Sequence, residues 1–198
     1  MKNTYRNNTN NMETRRSFVR KTALATSGLL SVPLSVEAMA QVHGEKKLKL
    51  ALIGCGGRGS GAAVQALTAD ENVELVAMAD AFADRIERSL KGIQKHFEGE
   101  ENIDYSTTKH KGSKRKITVK EKNKFVGFDA YKKAIDLADV VILTTPPGFR
   151  PYHFEYAIAN GKHVFMEKPL ATDPVGIRKV LATARIAKEK KLNVVVGL

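Results

Sequence analysis

A chain of 198 residues, 42% hydrophobic and 27% charged, has the composition of a soluble globular protein with material for one ordinary domain, and this excludes overall disorder. Its formal net charge of +12 would point to a nucleic acid only if the basic residues clustered on a folded face. The one cysteine, Cys55, excludes an intramolecular disulfide and a cysteine-built zinc site, so no metal is expected.

The first basic group lies near the N-terminus. Polar, Asn-rich residues 1–11 are followed by Thr14-Arg15-Arg16-Ser17-Phe18-Val19-Arg20-Lys21 and an apolar run from Thr22 to Val36. This is the order of a signal peptide, and Ala38-Met39-Ala40 supplies a small-x-small cleavage site. The paired arginines resemble the twin-arginine export consensus, which implies cleavage after Ala40, a periplasmic or extracytoplasmic location and no stable membrane anchor afterwards. The other reading of residues 1–40 is an amphipathic surface helix or an uncleaved anchor. Against the anchor, the run is short and dotted with Ser and Thr.

Leu48–Ile53 reads as a buried strand running into Gly54-Cys55-Gly56-Gly57-Arg58-Gly59, and helix formers follow from Ala62 to Leu67. A G-x-G-x-x-G turn between strand and helix has a physical purpose. Gly54 makes the tight turn, Gly56 lets a pyrophosphate approach the backbone, and Gly59 lets helix and strand pack closely. The helix start offers free N–H groups and a positive dipole end. Arg58 fits either a phosphate contact or a solvent-facing position, and Cys55 fits small filler in the turn.

A second strand, Val73–Ala79, ends in Asp80, about 20 residues past the last glycine. From there a carboxylate reaches the adenosine ribose hydroxyls and repels a 2′-phosphate, so the expected cofactor is NAD(H) in preference to NADP(H). Asp80 also fits a turn residue ahead of the next helix, although Asp84 is better placed as that helix's cap. Ile86, Leu90, Ile93 and Phe97 give residues 84–97 an apolar helical stripe.

Residues 98–124 carry the second basic group, from Lys109 to Lys124, and read as a charged insertion with a short strand near 116–119. With one aromatic, Tyr105, and no nucleic-acid motif, a solvated loop or hairpin fits better than a nucleic-acid patch. Alternation then resumes: a helix near 130–137, a strand at 140–143 ending in Thr144-Thr145-Pro146-Pro147, and a helix at 152–160 closed by Gly161. A strand at 163–166, a helix at 174–190 and a strand at 193–196 follow. The fold class expected is α/β, a doubly wound, mostly parallel Rossmann sheet over residues 41–198.

The run Gly54 to Gly59, Asp80, Thr145-Pro146-Pro147, Gly161-Lys162-His163-Val164 and Glu167-Lys168-Pro169 resembles the Gfo/Idh/MocA oxidoreductases in order and in the elements that carry it. The resemblance covers roughly Lys47 to Leu198. It implies that Lys168 is the catalytic residue, moving a proton or orienting the substrate, with Glu167 at the nicotinamide ribose. Thr145 and Pro146 would line the cofactor crevice, and His153 matches a family histidine loosely. From physics alone Lys168 is equally an exposed lysine, and His153 equally a packed one. Family members continue into a second α/β domain that forms the substrate pocket and the usual oligomer contact. None of that domain is in this chain.

Three functions are therefore carried forward: an exported NAD-dependent oxidoreductase for a sugar or polyol, of which this is the NAD-binding fragment; an NAD-dependent glycosidase of the same fold; and a non-catalytic dinucleotide-binding module. The partners expected are a dinucleotide and, in a full-length form, a sugar or polyol substrate and a second copy of the chain.

Overall fold

The computed structural model describes residues 47–70, 72–98 and 116–197. The expected leader, its cleavage site and the basic residues Lys109, Lys111, Lys114 and Arg115 lie outside them.

In chain order the elements are β1 (Leu48–Ile53), α1 (Gly57–Ala69), β2 (Val73–Asp80), α2 (Ala83–Phe97), β3 (Lys116–Ile117) and β4 (Lys124–Val126). There follow α3 (Ala130–Asp136), β5 (Val140–Leu143), α4 (Arg150–Ala159), β6 (His163–Met166), α5 (Pro174–Glu189) and β7 (Val194–Val196). All pairings are parallel. The sheet runs β3-β2-β1-β5-β6-β7, and β4 shares the outer edge of β2 with β3. Glu74 and Leu75 of β2 face β3, while Met78 to Asp80 face β4, so two short strands fill one position.

Both faces of the sheet are covered, which is why its central strands are nearly continuous apolar runs. On one face Leu50, Leu52, Leu75 and Met78 pack with Ala62, Ala63 and Leu67 of α1 and Ile86, Leu90 and Ile93 of α2. On the other, Ala51, Ile53, Ala77, Ala79, Val141 and Leu143 pack with α3, α4 and α5 through Ala134, Ile135, Phe154, Ala157 and Val180. Strand periodicity alone would alternate the faces without interruption. A register shift opposite Leu50 and Ala51 instead leaves Val76 unpaired with β1, and Val76 and Ala77 both turn to the α3 side.

Three sequence expectations need correction. Helix α1 begins at Gly57, so Arg58 and Gly59 sit in its first turn and not ahead of it. Asp84 is not the cap of α2: Phe82 occupies that position, and Asp84, one residue inside the helix, pairs with Arg88. The short strand expected near 116–119 is there as Lys116–Ile117, but the charged segment 98–124 is not otherwise wholly an excursion, because Lys124 also builds the sheet edge. Lys124 is drawn in by Glu121 at 2.6 Å and Glu87 at 2.8 Å, which raise its pKa through their hydrogen bonds and charge.

Strand order reverses between β1 and β5. The chain first winds outward from β1 to β3 and β4, then returns to the other side of β1. The loops leaving the two strands diverge to opposite faces and open a crevice at their carboxyl ends, where ligands bind in sheets of this type.

Candidate functional site

The glycine turn is shaped by what surrounds it. Gly54 has φ +94°, and a Cβ there would stand 2.7 Å from the Thr145 nitrogen, so both conformation and space demand glycine. A Cβ on Gly59 would meet the Gly54 carbonyl oxygen at 2.1 Å and Thr144 Oγ1 at 2.6 Å. The helix therefore sits directly on the turn, and the Thr144 hydroxyl locks it by donating to the Gly54 carbonyl at 2.7 Å. Gly56 differs, because a Cβ on it would meet nothing within 4 Å. No described protein atom requires glycine there, and the same holds for Gly57, so this stretch of backbone is open to a phosphate facing the first-turn N–H groups of α1.

Asp80 holds the turn from the neighbouring strand. Its Oδ2 accepts from the Cys55 amide at 2.7 Å, and its Oδ1 accepts from the Phe82 amide at 3.1 Å. The carboxylate thus organises both the glycine turn and the approach to α2. Each oxygen keeps a second lone pair for a ribose hydroxyl. The Cys55 side chain is buried and donates to Ala79, and burial, reinforced by the Asp80 charge, pushes its thiol far up. It stays a neutral filler.

A cleft of about 450 Å³ opens here, within the range of small-ligand sites. It brings together Gly54, Gly56, Asp80, Thr145, Pro146 and His153. Phe82, Arg85, Phe128, Tyr131 and Phe149 also stand in its wall. Phe128 and Phe149 stack with centroids 5.9 Å apart, and Phe128 is 72% exposed, so an apolar aromatic face is offered to the cleft.

His153 is one of the cleft's buried lining residues. It stacks on Tyr131 with centroids 4.1 Å apart, and its Nδ1 lies 3.1 Å from the Thr145 hydroxyl. Burial, and secondarily the Arg150 charge, lowers its pKa to about 4, so the ring is neutral at physiological pH.

The remaining expected residues lie outside this lining. Cys55 and Gly57 border a smaller recess with Ser60, Arg85, Arg88 and Ser89. Arg58 is committed to Glu167, its Nε donating to Oε1 at 2.8 Å. That joins the glycine turn to the end of β6, where Glu167 is buried and Lys168 exposed. The Lys168–Pro169 peptide is cis.

Arg150 was not among the residues expected from sequence. It opens α4, is 3% exposed, and donates to the carbonyl oxygens of Thr145 and Pro169. Its signal was present in the sequence as a cation beside Pro151 at a helix start, where the dipole disfavours positive charge. The aromatic wall carried no comparable signal, since Phe82, Phe128 and Tyr131 converge only through the strand order.

Residues 48–198 match the oxidoreductase family GFO_IDH_MocA, NAD-binding Rossmann fold. No curated protein sequence matches the chain. Among solved structures, scyllo-inositol dehydrogenase from Lactobacillus casei, with bound NAD(H) and scyllo-inositol, superposes at TM-score 0.54 and 20% identity over 77% of this chain and 36% of its own. Myo-inositol 2-dehydrogenase from Lactobacillus plantarum gives 0.54 and 22% over 77% and 36%. KijD10, a 3-ketoreductase from Actinomadura kijaniata in complex with NADP and TDP-benzene, gives 0.52 and 22% over 76% and 37%. This chain therefore spans little more than a third of the length of those relatives, and at these identities the likeness is one of fold. The family match, the strand order and the glycine turn agree: the chain belongs to the GFO_IDH_MocA oxidoreductase family and forms its NAD-binding Rossmann domain.

Proposed function

We propose that the chain binds NAD(H) in the cleft between β1 and β5 and serves an oxidoreductase acting on a sugar or polyol. The observation that carries this reading is the contrast among the three glycines: Gly54 and Gly59 are required by the protein's own packing, Gly56 by none of it. The pyrophosphate takes that open face, Asp80 receives the adenosine ribose, and Thr145, Pro146 and His153 line the crevice toward the nicotinamide. When bound, NAD supplies the hydride acceptor. The chain's own share is to bind, orient and exclude water, with Lys168 taking the proton of the substrate hydroxyl.

Asp80 also sets the preference for NAD(H) over NADP(H), because its carboxylate repels a 2′-phosphate. Titration with NADH and NADPH tests this. Wild-type protein favours NADH, and Asp80→Ala brings the two affinities together. An unchanged ratio in the variant removes the assignment.

A second reading, a module that binds dinucleotide without turnover, is favoured by the exposure of Lys168. Oxidation of any polyol by the isolated chain would eliminate it. We further propose export of the folded domain through the twin-arginine route. Intact-mass measurement in an exporting host should find a mature chain beginning at Gln41, and a mass counted from Met1 would refute the leader.

A further inference from the structure

Both neighbours of Lys168 are tied down, each by an arginine that stands outside the cleft's own lining. On one side, Glu167 accepts from Arg58 of the glycine turn at 2.8 Å. On the other, the Pro169 carbonyl accepts from Arg150, whose second terminal nitrogen donates to the Thr145 carbonyl. We infer that Arg150 is a positioning residue: its guanidinium clamps the loop after β5 to the loop after β6 and so fixes Lys168 against the nicotinamide side of the cleft.

Packing alone gives a poor reason for an arginine here. The side chain is 3% exposed, has no carboxylate hydrogen-bonded to it, and its Nε has no partner among the described residues. Burial lowers its pKa, with the Glu167 charge the opposing influence. It also stands at the start of α4, against the helix dipole. An apolar side chain of similar volume would avoid each of these costs. What an apolar side chain cannot do is donate to two carbonyls at once, and the planar, forked guanidinium can. Those two carbonyls belong to Thr145, whose hydroxyl meets His153, and to the residue that follows Lys168. Arg58 already joins the glycine turn to Glu167, so the arginine pair brackets one lysine between the two halves of the crevice.

This inference rests on the proposed dinucleotide site, and a ligand lacking the nicotinamide separates the two. ADP-ribose uses the β1 and β2 half of the crevice and, through its terminal ribose, Glu167, which Arg58 and not Arg150 holds; the nicotinamide of NADH needs the loops clamped by Arg150 as well. Wild-type protein, Arg150→Met and Arg150→Lys are titrated with both ligands, with thermal melting to establish folding. Lysine keeps the charge but, as a point donor, does not span both carbonyls. The expected result is that both variants hold ADP-ribose within about twofold of wild type while NADH weakens about tenfold or more. If Arg150→Met does not fold, Arg150→Lys decides. NADH and ADP-ribose weakening equally, neither weakening, or loss of fold in both variants would each make Arg150 a structural residue and overturn the inference. Failure of wild-type protein to bind either ligand would instead defeat the dinucleotide site itself.

Discussion

Gly59 and His153 show how single positions carry the site, because each is constrained by close contact and not by general burial. An Ala at 59 puts a methyl 2.1 Å from a backbone oxygen that cannot rotate away, so α1 must withdraw from the turn. Overpacking of this kind typically costs about 1–3 kcal/mol, and Gly59→Ala should lower the melting temperature while weakening NADH binding. A variant as stable as wild type would show that the helix does not rest on the turn as described. His153 carries a pH dependence whose sign is fixed. Its folded pKa of about 4 lies below the ordinary value of 6.5, so the neutral ring contributes stability that is complete above 6.5 and is lost as pH falls through 4. The shift corresponds to about 3 kcal/mol at most. Denaturant melts between pH 7 and about 4 should therefore show a slope in wild type that is reduced in His153→Gln. Equal slopes would mean that the ring is not buried neutral.

Among the elements, the expected helices and strands appear in the expected order, since apolar periodicity and glycine punctuation are local properties of the chain. Less of the long-range detail was legible. The register shift at Val76 answers to packing under α3, and the capture of Lys124 by Glu87 depends on a helix nearly forty residues away in sequence. The start of α4 at Arg150 was missed because Pro151 marks a helix beginning without showing what the preceding cation holds. Helix α4 also receives help at its other end. Lys190, which follows α5, donates to the carbonyls of Ile158 at 3.0 Å and Ala159 at 2.9 Å. A cation there adds a donor to the last carbonyls of the helix, of which Ile158 also accepts from the Gly161 amide at 3.2 Å, and complements the dipole. Replacing it in Lys190→Met should cost about 1 kcal/mol by denaturant unfolding, discounted for partial exposure. NADH affinity should be unaffected, because these atoms lie at the end of α4 opposite Arg150. A stability change near zero would leave Lys190 a bystander.

For the whole molecule, the decisive property is the strand order. The glycine turn, Asp80 and the Thr145-Pro146 segment were legible as separate motifs, and the reversal between β1 and β5 is what gathers them around one cleft. The same order sets the end of β6, with Glu167 ahead of Lys168, beside the start of α1 through the Arg58–Glu167 ion pair. The aromatic wall of Phe82, Phe128, Tyr131 and Phe149 is a product of that assembly and of no local pattern. The central claim is that a dinucleotide pyrophosphate occupies the open face of Gly56, and Gly56→Asp tests it most directly. Aspartate is a good N-cap, favours the positive end of α1 and meets open space, so folding should be unharmed. Its charge would stand where the pyrophosphate approaches. Titration by NADH fluorescence is predicted to give saturable binding to wild type and none to a Gly56→Asp protein of equal or higher melting temperature. Undiminished NADH binding by that variant would contradict the account.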